Sequence, residues 1–232
     1  MNRVGYSRDA WRSWPANSLT FINLGAGALV CWWAASEFDL GWAPAEWLDS
    51  LGWVDGWMDL TGAKERRVAG ILWLLAVWGT GQVCDLLDGA VARMMGADGE
   101  QGAMLDAMAD LVSAGLAPAF IGMALMMEWR AAGGLPSGFE WMPILALLVM
   151  MAGAWRLARF ARGSGKAEDR RFDFAGIPAP MAALYWGAVL WVWASEGPAS
   201  IEFIVWLGVV GVTLLPLGMA VSYTHLRAHE TS

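Results

Sequence analysis

Asp85, Asp88, Asp106 and Asp110 stand at the facing ends of two apolar stretches joined by a short polar turn, in the run DLLDGAVARMMGADGEQGAMLDAMAD. At about 100° per residue, a helix places Asp88, Gly89 and Ala92 within about 60° of Asp85, on one narrow stripe. Gly102, Asp106 and Asp110 share a face of the next helix in the same way, at spacings that let both carboxylates approach one point. Charged side chains at bilayer depth cost ~2.5–3.5 kcal/mol each, so two acidic stripes aimed at one another call for compensation. A lone aspartate here would read as a water-facing helix end; the paired set reads as a cation site. Carboxylate oxygens without histidine or cysteine select hard cations, which makes magnesium or manganese the expected cofactor. Such cations also bridge a diphosphate that four bare carboxylates would repel. Gly89 and Ala92 leave room for that anion, and Arg93, just past the stripe, carries the planar fork suited to phosphate oxygens.

The elements that hold these residues are apolar. Of 232 residues 57% are hydrophobic, which leaves too little polar surface to cover a soluble globule and points to an all-α polytopic membrane protein. Six stretches are long enough to cross about 30 Å of hydrocarbon: 17–37, 67–92, 102–128, 142–162, 177–195 and 200–222. The 17 tryptophans fit that class, with Trp11, Trp14, Trp32, Trp33, Trp129, Trp141 and Trp193 near the ends of apolar runs, where indoles favour the headgroup level. Gly25, Gly27, Gly208 and Gly211 read as points of close helix packing. Cys31 and Cys84 lack a metal or redox spacing and read as buried thiols.

With the amino terminus inside, the inner side carries Arg3, Arg8, Arg12, Arg93, Arg156, Arg159, Arg162, Lys166, Arg170 and Arg171. The outer side carries Lys64, Arg66, Arg67 and Arg130, so the excess of basic residues puts the acidic pocket on the cytoplasmic side of the cell membrane. A net charge of −7 gives no footing for nucleic acid. Residues 38–65 read as an outer interfacial, aromatic-rich segment with no assigned chemistry. No cleavable signal peptide is expected before the first apolar run. The terminal residues 222–232 contain both histidines and break with the preceding composition, so they read as a non-native tail, with residues 1–221 as the membrane domain.

The pattern Asp85-x2-Asp88-Gly89-x2-Ala92-Arg93-x8-Gly102-x3-Asp106-x3-Asp110 resembles, without a gap, the motif of the CDP-alcohol phosphatidyltransferase family. The resemblance implies six transmembrane helices, a homodimer, and two metal ions held by Asp85, Asp88, Asp106 and Asp110. It casts Asp110 as general base and Gly89, Ala92, Arg93 and Gly102 as positions contacting the CDP-lipid. Flanking stretches are similar to the phosphatidylserine synthase branch: Leu105 to Pro118, Arg156 to Phe160, Phe174 to Pro180, and Asn17 to Thr20 at the start of the first helix. These add Asn17 and Thr20 to the binding candidates. Ala16, Ala114 and Ala161 depart from that branch's usual residues, and residues 38–65 are longer than its pattern.

The expected reaction is transfer of a phosphatidyl group from CDP-diacylglycerol to L-serine, giving phosphatidylserine and CMP, with glycerol 3-phosphate or inositol phosphate as alternative acceptors. Arg156 and Arg159, a helical turn apart, are candidates to hold the serine carboxylate or a phosphate, or else an ordinary basic inner flank. Two readings from other classes compete. A transporter with an acidic intramembrane site would need a route to the far side; a structural protein with a degenerate site would bind without turnover.

Overall fold

A computed structural model describes residues 10–37, 63–96, 99–131, 133, 135, 137–163, 179–196, 207, 208, 210, 211 and 214–218. The described residues are almost all helical, joined by turns and short irregular pieces, with no strand among them. Helix α1 spans Trp14–Glu37, α2 Ala63–Met95, α3 Glu100–Asp110, α4 Ala117–Ala131, α5 Leu147–Gly163 and α6 Ala179–Glu196. The expected interfacial segment, apart from its last residues 63–65 in α2, and the tail 222–232 lie outside the described residues. Of the expected sixth stretch, 200–222, only short helical pieces are described.

Among the described residues, three helical stretches are long and apolar enough to cross a membrane: Trp14–Ser36, Val68–Met95 and Gln101–Ala131. Two further apolar helices, Met142–Ala158 and Met181–Ser195, are shorter. Their outward faces carry Leu72, Trp73, Val83, Leu86, Met94, Met151 and Leu184 in the open. A surface of that kind is at home in lipid rather than water. The tryptophans divide: Trp14, Trp32 and Trp141 are exposed, whereas Trp33 and Trp129, expected at the headgroup level, are core residues. Cys84 is buried as expected, and Cys31 is partly covered; both thiols are free.

α1 starts from a short 3-10 turn, Ala10–Ser13, with Pro15 in its first turn, where the missing N–H is no loss. α2 stops where Gly96 takes φ +59 and donates its N–H to the Arg93 carbonyl at 3.2 Å, the left-handed exit that glycine accepts without strain. Gly99, in extended backbone, then starts α3. The short reversal is what turns the end of α2 that carries Asp85 and Asp88 back toward α3, which carries Asp106 and Asp110.

The expected span 102–128 falls within one continuous helical stretch, Gln101–Ala131, but its hydrogen bonding is not uniform. Between α3 and α4, residues Leu111–Leu116 form a π-helical turn, with the Ala117 N–H bonded to the Val112 carbonyl five residues back. Pro118 supplies the reason: it has no N–H to give, and its ring would press on the carbonyl of Ala114, so widening the preceding turn relieves both problems. The Ser113 carbonyl accepts a hydrogen bond from the Trp78 indole at 2.9 Å, so a buried backbone acceptor beside the irregular turn is satisfied from α2.

Close approach of α1 depends on two glycines. A Cβ on Gly27 would stand 2.6 Å from the Ser113 Cα, and one on Gly81 would stand 2.7 Å from the Ala26 Cβ. At the far side, Gly122 and Gly211 admit the fully buried Trp186 ring, with a Cβ at 2.7 Å from it in both cases. Gly25, expected as a packing point, faces open space; Gly208 makes only ordinary contacts, at 3.8 Å. Helical glycines without a packing role here are a matter of register: one residue off the contact face suffices.

Candidate active site

α2 carries Asp85 and Asp88 in its carboxyl-terminal part, and α3 sets Asp106 opposite them. One carboxylate oxygen from each of the three lies within 4.8 Å of the others, with Asp88 buried and its partners half-buried. At that separation each pair of charges repels by roughly 3–4 kcal/mol at an effective dielectric of about 20. Three oxygens on two helices at this spacing fit one divalent cation, which would offset the repulsion, and their chemistry favours magnesium or manganese over softer metals. Asp110, one turn further along α3, is outside that set, but its carboxyl group reaches that of Asp85. All four aspartates therefore meet as one acidic group with Asp110 at its deeper, π-turn end.

α1 closes the back of the site. The Thr20 hydroxyl lies 2.5 Å from Asp88 Oδ2, and the Asn23 carboxamide donates to Asp85 Oδ1 at 2.7 Å. Both side chains are buried, Asn23 completely. The Gln82 amide in turn donates to Asn23 Oδ1 at 3.4 Å.

Beside the acidic group lies an open cavity of about 440 Å³, lined by Ser13, Ala16, Asn17, Thr20, Asp88, Gly89, Ala92, Arg93, Gly99, Gly102, Ala103 and Asp106. Six of the eight expected binding residues are on that lining: Asn17, Thr20, Gly89, Ala92, Arg93 and Gly102. Glycine at 89 and 102 is not demanded by helix packing. A Cβ at Gly89 would meet only the flexible end of Arg93, at 3.5 Å, and one at Gly102 would lie 3.9 Å from Asn17 Oδ1. The room that these glycines leave is room in the cavity. Arg156, on α5, is absent from the lining; it is half-buried, and the carboxylate it senses is Asp110. The side chain of Arg159 lies outside the described residues.

Sequence reasoning missed Asn23 and Gln82. A signal was present: Asn23 follows Thr20 by three residues and so shares its face, and Gln82 precedes Asp85 by the same interval. An asparagine within an apolar span needs a partner.

The family model for CDP-alcohol phosphatidyltransferase matches residues 14–216, a span that includes all four aspartates. The chain belongs to that family. Among characterised relatives, it is similar to the CDP-diacylglycerol–serine O-phosphatidyltransferase of Mycobacterium leprae, with 35% identity over 47% of this chain and 35% of the relative. The protein of that name from Helicobacter pylori strain 26695 is 31% identical over 56% of this chain and 49% of its own. That of Methanocaldococcus jannaschii is 36% identical over 44% and 42%. The chain thus matches between about a third and a half of the length of these relatives. No solved structure matches it.

Proposed function

We propose that this chain transfers the phosphatidyl group of CDP-diacylglycerol to L-serine, giving phosphatidylserine and CMP. The observation that carries the reading is the convergence of three carboxylates from two helices at the edge of a cavity whose glycines are free of packing duty. The names of the relatives favour serine among the acceptors.

Asp85, Asp88, Asp106 and Asp110 would hold two magnesium or manganese ions. When bound, such ions neutralise diphosphate charge and stabilise the departing phosphate. The chain's own groups do the remaining work. Arg93 and the backbone at Gly89 and Gly102 receive the phosphates in the cavity. Asp110 takes the proton from the serine hydroxyl as its oxygen attacks the lipid-bearing phosphorus in line, and the phosphorus–oxygen bond to the nucleotide breaks, with CMP keeping the bridging oxygen and its electron pair. Arg156, within electrostatic reach of Asp110, holds the serine carboxylate close to the base, with Arg159 one turn on as a second candidate. The whole protein is read as a six-span homodimer in the cell membrane with this pocket facing the cytoplasm.

The test offers CDP-diacylglycerol with serine, glycerol 3-phosphate, inositol phosphate or no acceptor to detergent-purified protein and measures CMP release. Serine alone is expected to support turnover. Turnover with glycerol 3-phosphate alone would reject serine, and uptake in proteoliposomes without CMP formation would reject the transferase.

A further inference from the structure

We infer that Asn23, oriented by Gln82, is a positioning residue that fixes Asp85 for cation binding, so that α1 controls the metal affinity of a site whose charged ligands all belong to α2 and α3. The inference rests on the reading of the aspartates as cation ligands. Asn23 is fully buried in an apolar helix, and its carboxamide donates to Asp85 at 2.7 Å. An ionised carboxylate only accepts, so the amide nitrogen must face Asp85 and the carbonyl oxygen must point away. That oxygen accepts from the Gln82 amide at 3.4 Å, a contact that favours this orientation of the carboxamide.

The bond engages Oδ1 of Asp85 and so fixes the orientation of the carboxylate that meets Asp88 and Asp106. Thr20 does the same for Asp88, whose Oδ2 it holds. Gly81 is the structural condition for the arrangement: a Cβ there would stand 3.3 Å from Asn23 Oδ1 and 2.7 Å from the Ala26 Cβ, so a larger residue would push α1 off at the level of the network. A neutral donor is also what this place requires. It orders a carboxylate without adding charge, whereas a cation would compete with the metal and another carboxylate would deepen the repulsion.

The experiment measures Mn2+ binding to the full chain in detergent, by paramagnetic resonance of free Mn2+, for the natural sequence, Asn23→Ala, Gln82→Met and the double variant, with thermal midpoints alongside. Loss of an outer hydrogen-bond partner weakens metal sites by about 10- to 100-fold, and a shift in that range is expected for Asn23→Ala. Gln82→Met, acting through a longer bond, is expected to shift binding less and to add nothing in the Asn23→Ala background. Turnover of Asn23→Ala should recover as Mg2+ is raised, which a merely structural defect would not allow. Unchanged Mn2+ affinity in folded Asn23→Ala would overturn the inference. Should that variant fail to fold, unchanged affinity in Gln82→Met would overturn it. Absence of Mn2+ binding in the natural sequence would instead reject the cation reading on which it rests.

Discussion

Substituting Gly89 separates the site from the scaffold. A methyl group placed on Gly89 meets no backbone, only the mobile tip of Arg93 at 3.5 Å, which is ordinary contact distance. Folding should therefore tolerate Gly89→Ala, and the higher helix propensity of alanine adds up to about 1 kcal/mol, or an increase of about 2–4 °C in thermal midpoint for a chain of this size. The same methyl borders the 440 Å³ cavity, which the proposed function gives to the nucleotide-linked phosphates. Overpacking a filled site costs about 1–3 kcal/mol, which corresponds to about 5- to 150-fold in kcat/KM for CDP-diacylglycerol. The assay is CMP release against lipid concentration in mixed micelles, with Gly89→Leu as the severe case. Gly27→Ala is the control: its Cβ would lie 2.6 Å from the Ser113 Cα, so it should lower the thermal midpoint by about 2–12 °C through the same 1–3 kcal/mol. A Gly89→Leu protein with natural kcat/KM would refute the placement of substrate in this cavity.

The carboxylates should divide by role. Asp106→Asn is expected to abolish Mn2+ binding and turnover together, whereas Asp110→Asn keeps the Asp85, Asp88 and Asp106 set and should retain one bound Mn2+ while CMP release falls at least about 100-fold, as expected on removing a general base. Parallel Mn2+ titration and turnover measurements distinguish the two. Trp78→Phe keeps the ring but removes the donor to the Ser113 carbonyl, so a buried acceptor loses its partner. The expected cost is about 1–3 kcal/mol, read as a drop in thermal midpoint of about 2–12 °C, and an unchanged midpoint would show that another donor replaces the indole.

Much of this was legible before any coordinates. Apolar runs located the helices that bear the site, and carboxylate spacing put Asp85, Asp88 and Asp106 on facing stripes, because a fixed turn of the helix converts spacing into direction. What periodicity cannot express is which helix stands behind those stripes. Asn23 looked like one polar residue in an apolar run, and its value depends on a partner 62 residues away. Packing glycines were half legible for the same reason: Gly27 meets the neighbouring backbone, while Gly25, two residues earlier, meets nothing. The widened turn at Leu111–Leu116 was hidden by the apolar character of its residues, although Pro118 was the local reason to look for it.

That widened turn has a consequence for how the span evolves. One surplus residue advances the chain by about 100° around its axis, so the half that bears Asp106 and Asp110 and the half that packs around Trp186 are indexed separately on what is otherwise one rod. Deleting one residue from Leu111–Leu116 would let the turn close to ordinary α-helix with both halves still facing their partners, whereas a deletion outside it would swing one half away from its quarry: either the carboxylates from the cavity or the small residues Gly122 and Ala119 from the bundle interior.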